Sequence, residues 1–143
     1  MRAVIVGVTL LAAACAGAAP TSPPASDPAT AAPSTGAGSI IVTFEVAGDE
    51  RYRILFTDPV DIDVAERLLA GEEAPGIPNG LVVRGVTSVN EGYTWSIDPD
   101  DIDFADATIE VCDGLPSDVE LGVVTSDRYC PWSARVVAID PAP

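Results

Sequence analysis

Four carboxylates crowd into six positions at Asp98-Pro99-Asp100-Asp101-Ile102-Asp103. Hard oxygen donors at this density suit calcium, which binds several oxygens at once. The spacing is not that of an EF-hand. A loop begun at Asp98 puts Ile102 at its fifth position, Asp103 where the turn needs glycine, and Ile109 where a bidentate glutamate must sit. Asp98, Asp100, Asp101 and Asp103 therefore stand as a candidate cation site of another kind, set against the plain alternative of a solvated acidic turn.

Nucleophilic chemistry has little to work with. The chain contains no histidine, so a Ser-His-Asp triad cannot be assembled, and the commonest nitrogen ligand of zinc and copper is missing. Carboxylate pairs of the glycosidase kind are expected by chance among twenty-two acids. Catalysis is not expected, and no cofactor beyond a candidate calcium ion. Tyr93, Trp95 and Trp132 are candidate contact residues for a protein or glycan partner. The competing reading for Tyr93 and Trp95, which alternate along one strand face, is the core.

Three cysteines divide by position. Cys15 ends an apolar run from Ala3 to Ala14 that follows Met1-Arg2, a run too short to cross a bilayer as a helix and ending in the small residues a signal peptidase requires. Leu11-Ala12-Ala13-Ala14-Cys15 resembles a bacterial lipobox, so residues 1–14 are expected to be cleaved and Cys15 lipidated. Cys112 and Cys130 are then left as a pair in an exported chain, and a disulfide is the economical reading. It would close a loop of about eighteen residues and add roughly 3 kcal/mol on the chain-entropy model.

Residues 16–39 hold Ala, Pro, Ser, Thr and Gly with a single Asp27. Without a large apolar side chain nothing offsets the entropy of ordering, and the prolines favour extended chain. The expected organisation is a signal at 1–14, a lipidated Cys15 with a disordered tether at 15–39, and one globular domain at 40–143. The protein would then sit outside the cytoplasm, anchored by lipid alone, or be secreted if the lipobox is not used.

Loss of Arg2 with the signal leaves six arginines against twenty-two acids. Such acidity argues against nucleic acid and anionic membrane surface, which need a basic footprint. A monomer is expected.

The elements that must position these residues follow from patterning. Strands are expected at 40–46 and 52–56 with a turn at Gly48-Asp49-Glu50. Asp58 as N-cap and Pro59 in the first turn open a helix that Gly71 stops. Ile62, Val64, Ala65, Leu68 and Leu69 share one half of its wheel. A loop at 72–80 precedes strands at 81–86, 93–97, 107–112 and 135–139, with a short helix at 116–121. The order predicts an α+β fold, a small antiparallel sheet packed against one main helix and closed by one disulfide.

Pro78-Asn79-Gly80, Asn90, Tyr93-Thr94-Trp95-Ser96-Ile97-Asp98-Pro99, Glu110-Val111-Cys112-Asp113 and Cys130-Pro131-Trp132-Ser133, with Phe44-Glu45-Val46 and Leu55-Phe56-Thr57-Asp58-Pro59, resemble the N-terminal domain family of the calmodulin-binding protein BP seventy-four. The resemblance covers 40–139. The chain departs from the family with Tyr93 in place of a tryptophan and Ser96 in place of a histidine. The resemblance implies the fold and no catalytic set. Calmodulin targets are basic amphipathic helices, whereas the 59–69 helix carries Asp61, Asp63 and Glu66 against Arg67, so calmodulin binding is not carried over. The expected function is a surface-tethered, non-enzymatic binding module. The alternative is a secreted protease inhibitor presenting the loop between Asp113 and Tyr129.

Overall fold

The computed structural model describes residues 38–143. The signal, Cys15 and the tether up to residue 37 lie outside them. Strand β1 (Ile40–Val46) alternates strictly: Val42, Phe44 and Val46 are buried while Thr43 and Glu45 face outward. This is the period-2 pattern of a strand with one covered face. β2 (Glu50–Phe56) pairs antiparallel with it from Ile40↔Phe56 to Val46↔Glu50 and buries Tyr52, Ile54 and Phe56 on the same side. The turn falls at Ala47–Asp49, one residue earlier than the sequence suggests, because Ala47 (φ 54°) and Gly48 (φ 88°) both take left-handed backbone there.

Helix α1 (Pro59–Leu69) begins and ends as expected. The Asp58 carboxylate accepts the Val60 N–H at 2.7 Å, and Pro59 occupies the first turn. At the other end Gly71 is left-handed, and the N–H groups of Gly71 and Glu72 reach back to the Leu68 and Arg67 carbonyls, a Schellman closure. Ile62 and Ala65 are the face it buries.

The remaining strands are β3 (Ile77–Arg84), β4 (Trp95–Ala105), β5 (Arg128–Tyr129) and β6 (Arg135–Pro141). They form two three-stranded antiparallel sheets, β2-β1-β6 and β4-β3-β5, so the expected sheet is divided in two within the α+β class. The inner face of the first sheet meets Trp95, Ile97 and Tyr129 of the second, with Ile62 and Ala65 of α1 and Val119 of the short helix α2 (Pro116–Glu120) completing the core. An aromatic chain runs through it: Phe44 lies 5.4 Å from Tyr52, and Trp95 and Tyr129 lie 5.7 and 5.3 Å from Tyr52. β1, the first strand, is flanked by β2 and the last strand, and the Ala142 N–H donates to the Ser39 carbonyl at 2.9 Å.

Two positions govern how the strands join. Asn90 is the one buried polar or charged side chain of the described residues, 1% exposed. Its oxygen accepts the Arg53 N–H of edge strand β2 at 3.0 Å, and its amide donates to the Trp95 carbonyl at the start of β4, also at 3.0 Å. The other position is a glycine. Gly80 pairs with Ile102 while Val82 pairs with Ile97, so Leu81 alone faces the four residues Asp98 to Asp101, which bulge out of β4. A Cβ on Gly80 would collide with Ile97 Cγ2 and stand 3.0 Å from Ile102 Cδ1. Its absence lets the two isoleucines close under the bulge.

Three local expectations are corrected. Pro78-Asn79-Gly80 belongs to β3 and not to a loop, and the strand ends at Arg84. The acidic run lies inside β4 and not in a free turn. Residues 107–112 form no strand: they run as a strap into a 3-10 turn at Glu110–Cys112 and pair with neither sheet.

Candidate binding surface

The strap is tied to the segment after β5 at several points. Cys112 and Cys130 form the disulfide, with Cα atoms 5.1 Å apart, and the Cys130 N–H donates to the Cys112 carbonyl at 2.8 Å. Both cysteines are buried. The bridge thus joins the strap to the segment that follows β5. Two residues on, the Trp132 N–H donates to Asp113 Oδ1 at 2.9 Å and its indole Nε1–H to Thr108 Oγ1 at 2.6 Å. With both donors engaged Trp132 is fixed, yet its side of the molecule is open: Trp132 is 48% exposed, Ile109 69% and Val111 63%. Ser133 next to it accepts the Ala47 N–H at 3.2 Å, which places this corner by the end of β1 away from the chain ends.

Two clefts flank the strap. One of about 230 Å³ is lined by Ile77, Asp106, Ala107, Thr108 and Trp132. The other, about 340 Å³, is lined by Asn79, Ala107, Thr108, Ile109, Cys112, Ser126, Asp127 and Arg128. The first lies below the size that encloses a drug-sized ligand, and the second at its small end. Arg128 is not free in the second: its guanidinium donates to Asn79 Oδ1, to the Asn79 carbonyl and to Asp101 Oδ1, each at 2.8–2.9 Å.

The structure separates the three aromatics. Trp95 is fully buried and Tyr93 half-buried against it, their rings 5.4 Å apart; only Trp132 presents a substantial surface. Burial raises the Tyr93, Tyr52 and Tyr129 phenols above their ordinary pKa, so none of the three ionises near neutrality.

The acidic run is spread along the bulge. Asp98 Oδ1 accepts the Asp100 N–H at 3.0 Å, Asp101 pairs with Arg128, and Asp103 is paired in register with Asn79. Among the described residues no three His, Cys, Asp or Glu side chains converge so as to hold a metal ion. Asp100 instead lines a polar cleft of about 340 Å³ with Asp58 and Asp61 at the start of α1. Burial, then the charges of Asp58 and Asp103, raise the Asp61 pKa. On the outer face of the first sheet Glu45 bridges Arg51 and Arg135 at 2.8 and 3.2 Å. The Arg51 hydrogen bond leads the lowering of its pKa.

Sequence reasoning did not mark Thr108, Ile109, Val111 or Asp113 as part of a contact surface. Thr108 to Val111 alternates like a strand, and the property that distinguishes it, pairing with no strand of either sheet, is set by distant elements.

The architecture defines a class: a two-sheet α+β domain, clasped by one disulfide, with an exposed and immobilised tryptophan. The chain belongs to the N-terminal domain family of BP seventy-four, whose family model matches residues 39–143. No curated protein and no solved structure matches it.

Proposed function

We infer that the domain is a non-enzymatic binding module that recognises its partner through the strap surface, displayed outside the cytoplasm on a lipid anchor at Cys15. One observation carries the reading: Trp132 is half exposed although both its N–H donors are satisfied by Asp113 and Thr108. A large aromatic held rigid before contact loses little entropy on binding, which is why tryptophan is enriched among the residues that dominate interfaces. Its place near the end of β1 opposite Ser39 sets it apart from the point where the chain enters the domain. In the native host, capture of envelope components by the wild-type chain and not by Trp132→Ala is the expected outcome. Equal capture by both would remove the strap from the reading. An acyl mass increment on Cys15, lost with Cys15→Ala together with membrane retention, is expected; an intact mass without it would refute the anchor.

A protease inhibitor is the second reading, favoured by Leu121 and Val123, 76% and 66% exposed within the loop the disulfide closes. Stoichiometric inhibition that Leu121→Ala abolishes would support it. Inertness across serine and cysteine proteases would end it.

A further inference from the structure

We propose that the partner of the strap is a cationic amphipathic polypeptide segment, one that carries large apolar side chains among lysines or arginines. This rests on the reading of the strap as the binding surface and adds the partner's chemistry. The surface carries exposed apolar side chains, Ile109, Val111 and Trp132, with carboxylates among and beside them. Asp106 shares the smaller cleft with Trp132, Glu110 stands between Ile109 and Val111, and Asp127 shares the larger cleft with Ile109.

These three carboxylates are all exposed, and among the described residues none of them makes a salt bridge. Arg128, the cation that lines the larger cleft, is spent on Asn79 and Asp101. Exposed apolar side chains set among uncompensated negative charges are complementary to a segment that mixes apolar side chains with cations, and repel acidic partners.

Aliphatic exposure decides between polypeptide and sugar. A glycan stacks on an aromatic ring and hydrogen-bonds to polar neighbours, and gains little from Ile109 and Val111, whereas apolar peptide side chains bury against both. The clefts of about 230 and 340 Å³ accept single side chains better than a whole ligand.

The fluorophores allow a direct test on the full chain. The two tryptophans differ, Trp95 being buried and Trp132 exposed, so an emission shift on titration reports the strap, with Trp132→Phe as the silent control. A synthetic Lys-Leu amphipathic peptide is the probe, beside a Glu-Leu peptide, a Lys-Ser peptide without apolar residues, and a soluble polysaccharide. The expected result is a saturable blue shift with Lys-Leu alone. Ile109→Ser with Val111→Ser should weaken it about tenfold, or about 1.4 kcal/mol, and added salt should weaken it by screening. Val60→Ser with Leu69→Ser, exposed apolar positions on α1, should leave it unchanged.

Binding of Lys-Ser as tight as Lys-Leu, or equal losses from the strap and α1 pairs, would overturn the proposal by showing attraction to net charge alone. A shift with the polysaccharide and none with Lys-Leu would overturn it in favour of a glycan. Should Trp132→Ala abolish envelope capture while Lys-Leu fails to bind, the strap reading stands and the cationic partner falls.

Discussion

Gly80 shows how one missing methyl group sets a strand's course. A side chain there would meet Ile97 and Ile102, and would stand 3.2 Å from the backbone carbonyl of Asp101, which has no flexible end to yield. Gly80→Ala should therefore destabilise by about 1–3 kcal/mol, as overpacking does, and show as a lower denaturant midpoint at unchanged slope. Asn90 is the complementary case, a buried polar side chain whose every contact counts. Asn90→Ala strands the Arg53 N–H and the Trp95 carbonyl, and each orphaned buried group costs about 1–3 kcal/mol. Equilibrium unfolding that moves by only a few tenths would show that water replaces the amide.

Asp61 carries a pH signature of definite sign. A carboxyl whose pKa is higher folded than unfolded opposes folding once it ionises. The raised Asp61 pKa thus weakens the fold at neutral pH, and the penalty disappears as pH falls through the folded value toward the ordinary 3.8. Asp61→Asn should raise the thermal midpoint at pH 7 by the equivalent of no more than about 1 kcal/mol, because the site is largely solvent-screened. The gain should vanish near pH 3. A gain undiminished there would mean that charge is not its cause.

At the scale of elements, the disulfide acts on a strap that no sheet holds. Cys112 and Cys130 enclose a separation of 18 residues, for which chain entropy gives about 3 kcal/mol. Because both cysteines are buried, reductant should act slowly on the folded domain. Once reduced, the strap should loosen before the sheets do, and Trp132 emission should move toward that of a solvated indole while far-ultraviolet dichroism stays native. Loss of both signals together would mean that the strap folds as one unit with the sheets.

The elements legible in the sequence are those whose signals are local. β1 declares itself by Val42, Phe44 and Val46 at period two, and α1 by Asp58-Pro59 at one end and Gly71 at the other. The illegible ones depend on partners far along the chain. β4 runs through Asp98-Pro99-Asp100-Asp101 although that string has turn chemistry, because Gly80, far back in the sequence, leaves room for the bulge to close beneath it. β5 is two residues long and exists only as the pairing of Arg128 and Tyr129 with Leu81 and Gly80. The strap carries a strand's alternation without a strand's neighbour. For the candidate surface, Cys112, Cys130 and Trp132 stood out by type. Thr108 and Asp113, which hold Trp132 still, are ordinary residues until the fold brings them to it.

Across the whole molecule the charge of −15 is unevenly placed. Arg51, Arg53 and Arg135 gather on the outer face of the first sheet, where Glu45 and Glu91 answer them, and the carboxylates of α1, the β4 bulge and the strap are left mostly uncompensated. Exposed like charges separated by less than a screening length repel, so moderate salt should raise the thermal midpoint; a midpoint that falls with salt would show that the arginine pairs matter more than the repulsion.

The hydrogen bond from Ala142 to Ser39 means that the chain leaves the domain beside the place where it came in, about one strand spacing away, near ~5 Å. Such a domain is a closed loop in all but covalent fact, and need not sit at the end of a polypeptide. A host protein could carry it as an insertion in any surface turn, opening there and resuming with its own fold undisturbed. A circular permutant that joins Pro143 to Gly38 through a few glycines and opens at Gly48, in the exposed β1–β2 turn, should fold cooperatively with its disulfide formed. A permutant that stays unfolded would show that the β1–β2 hairpin must form first as one continuous piece of chain.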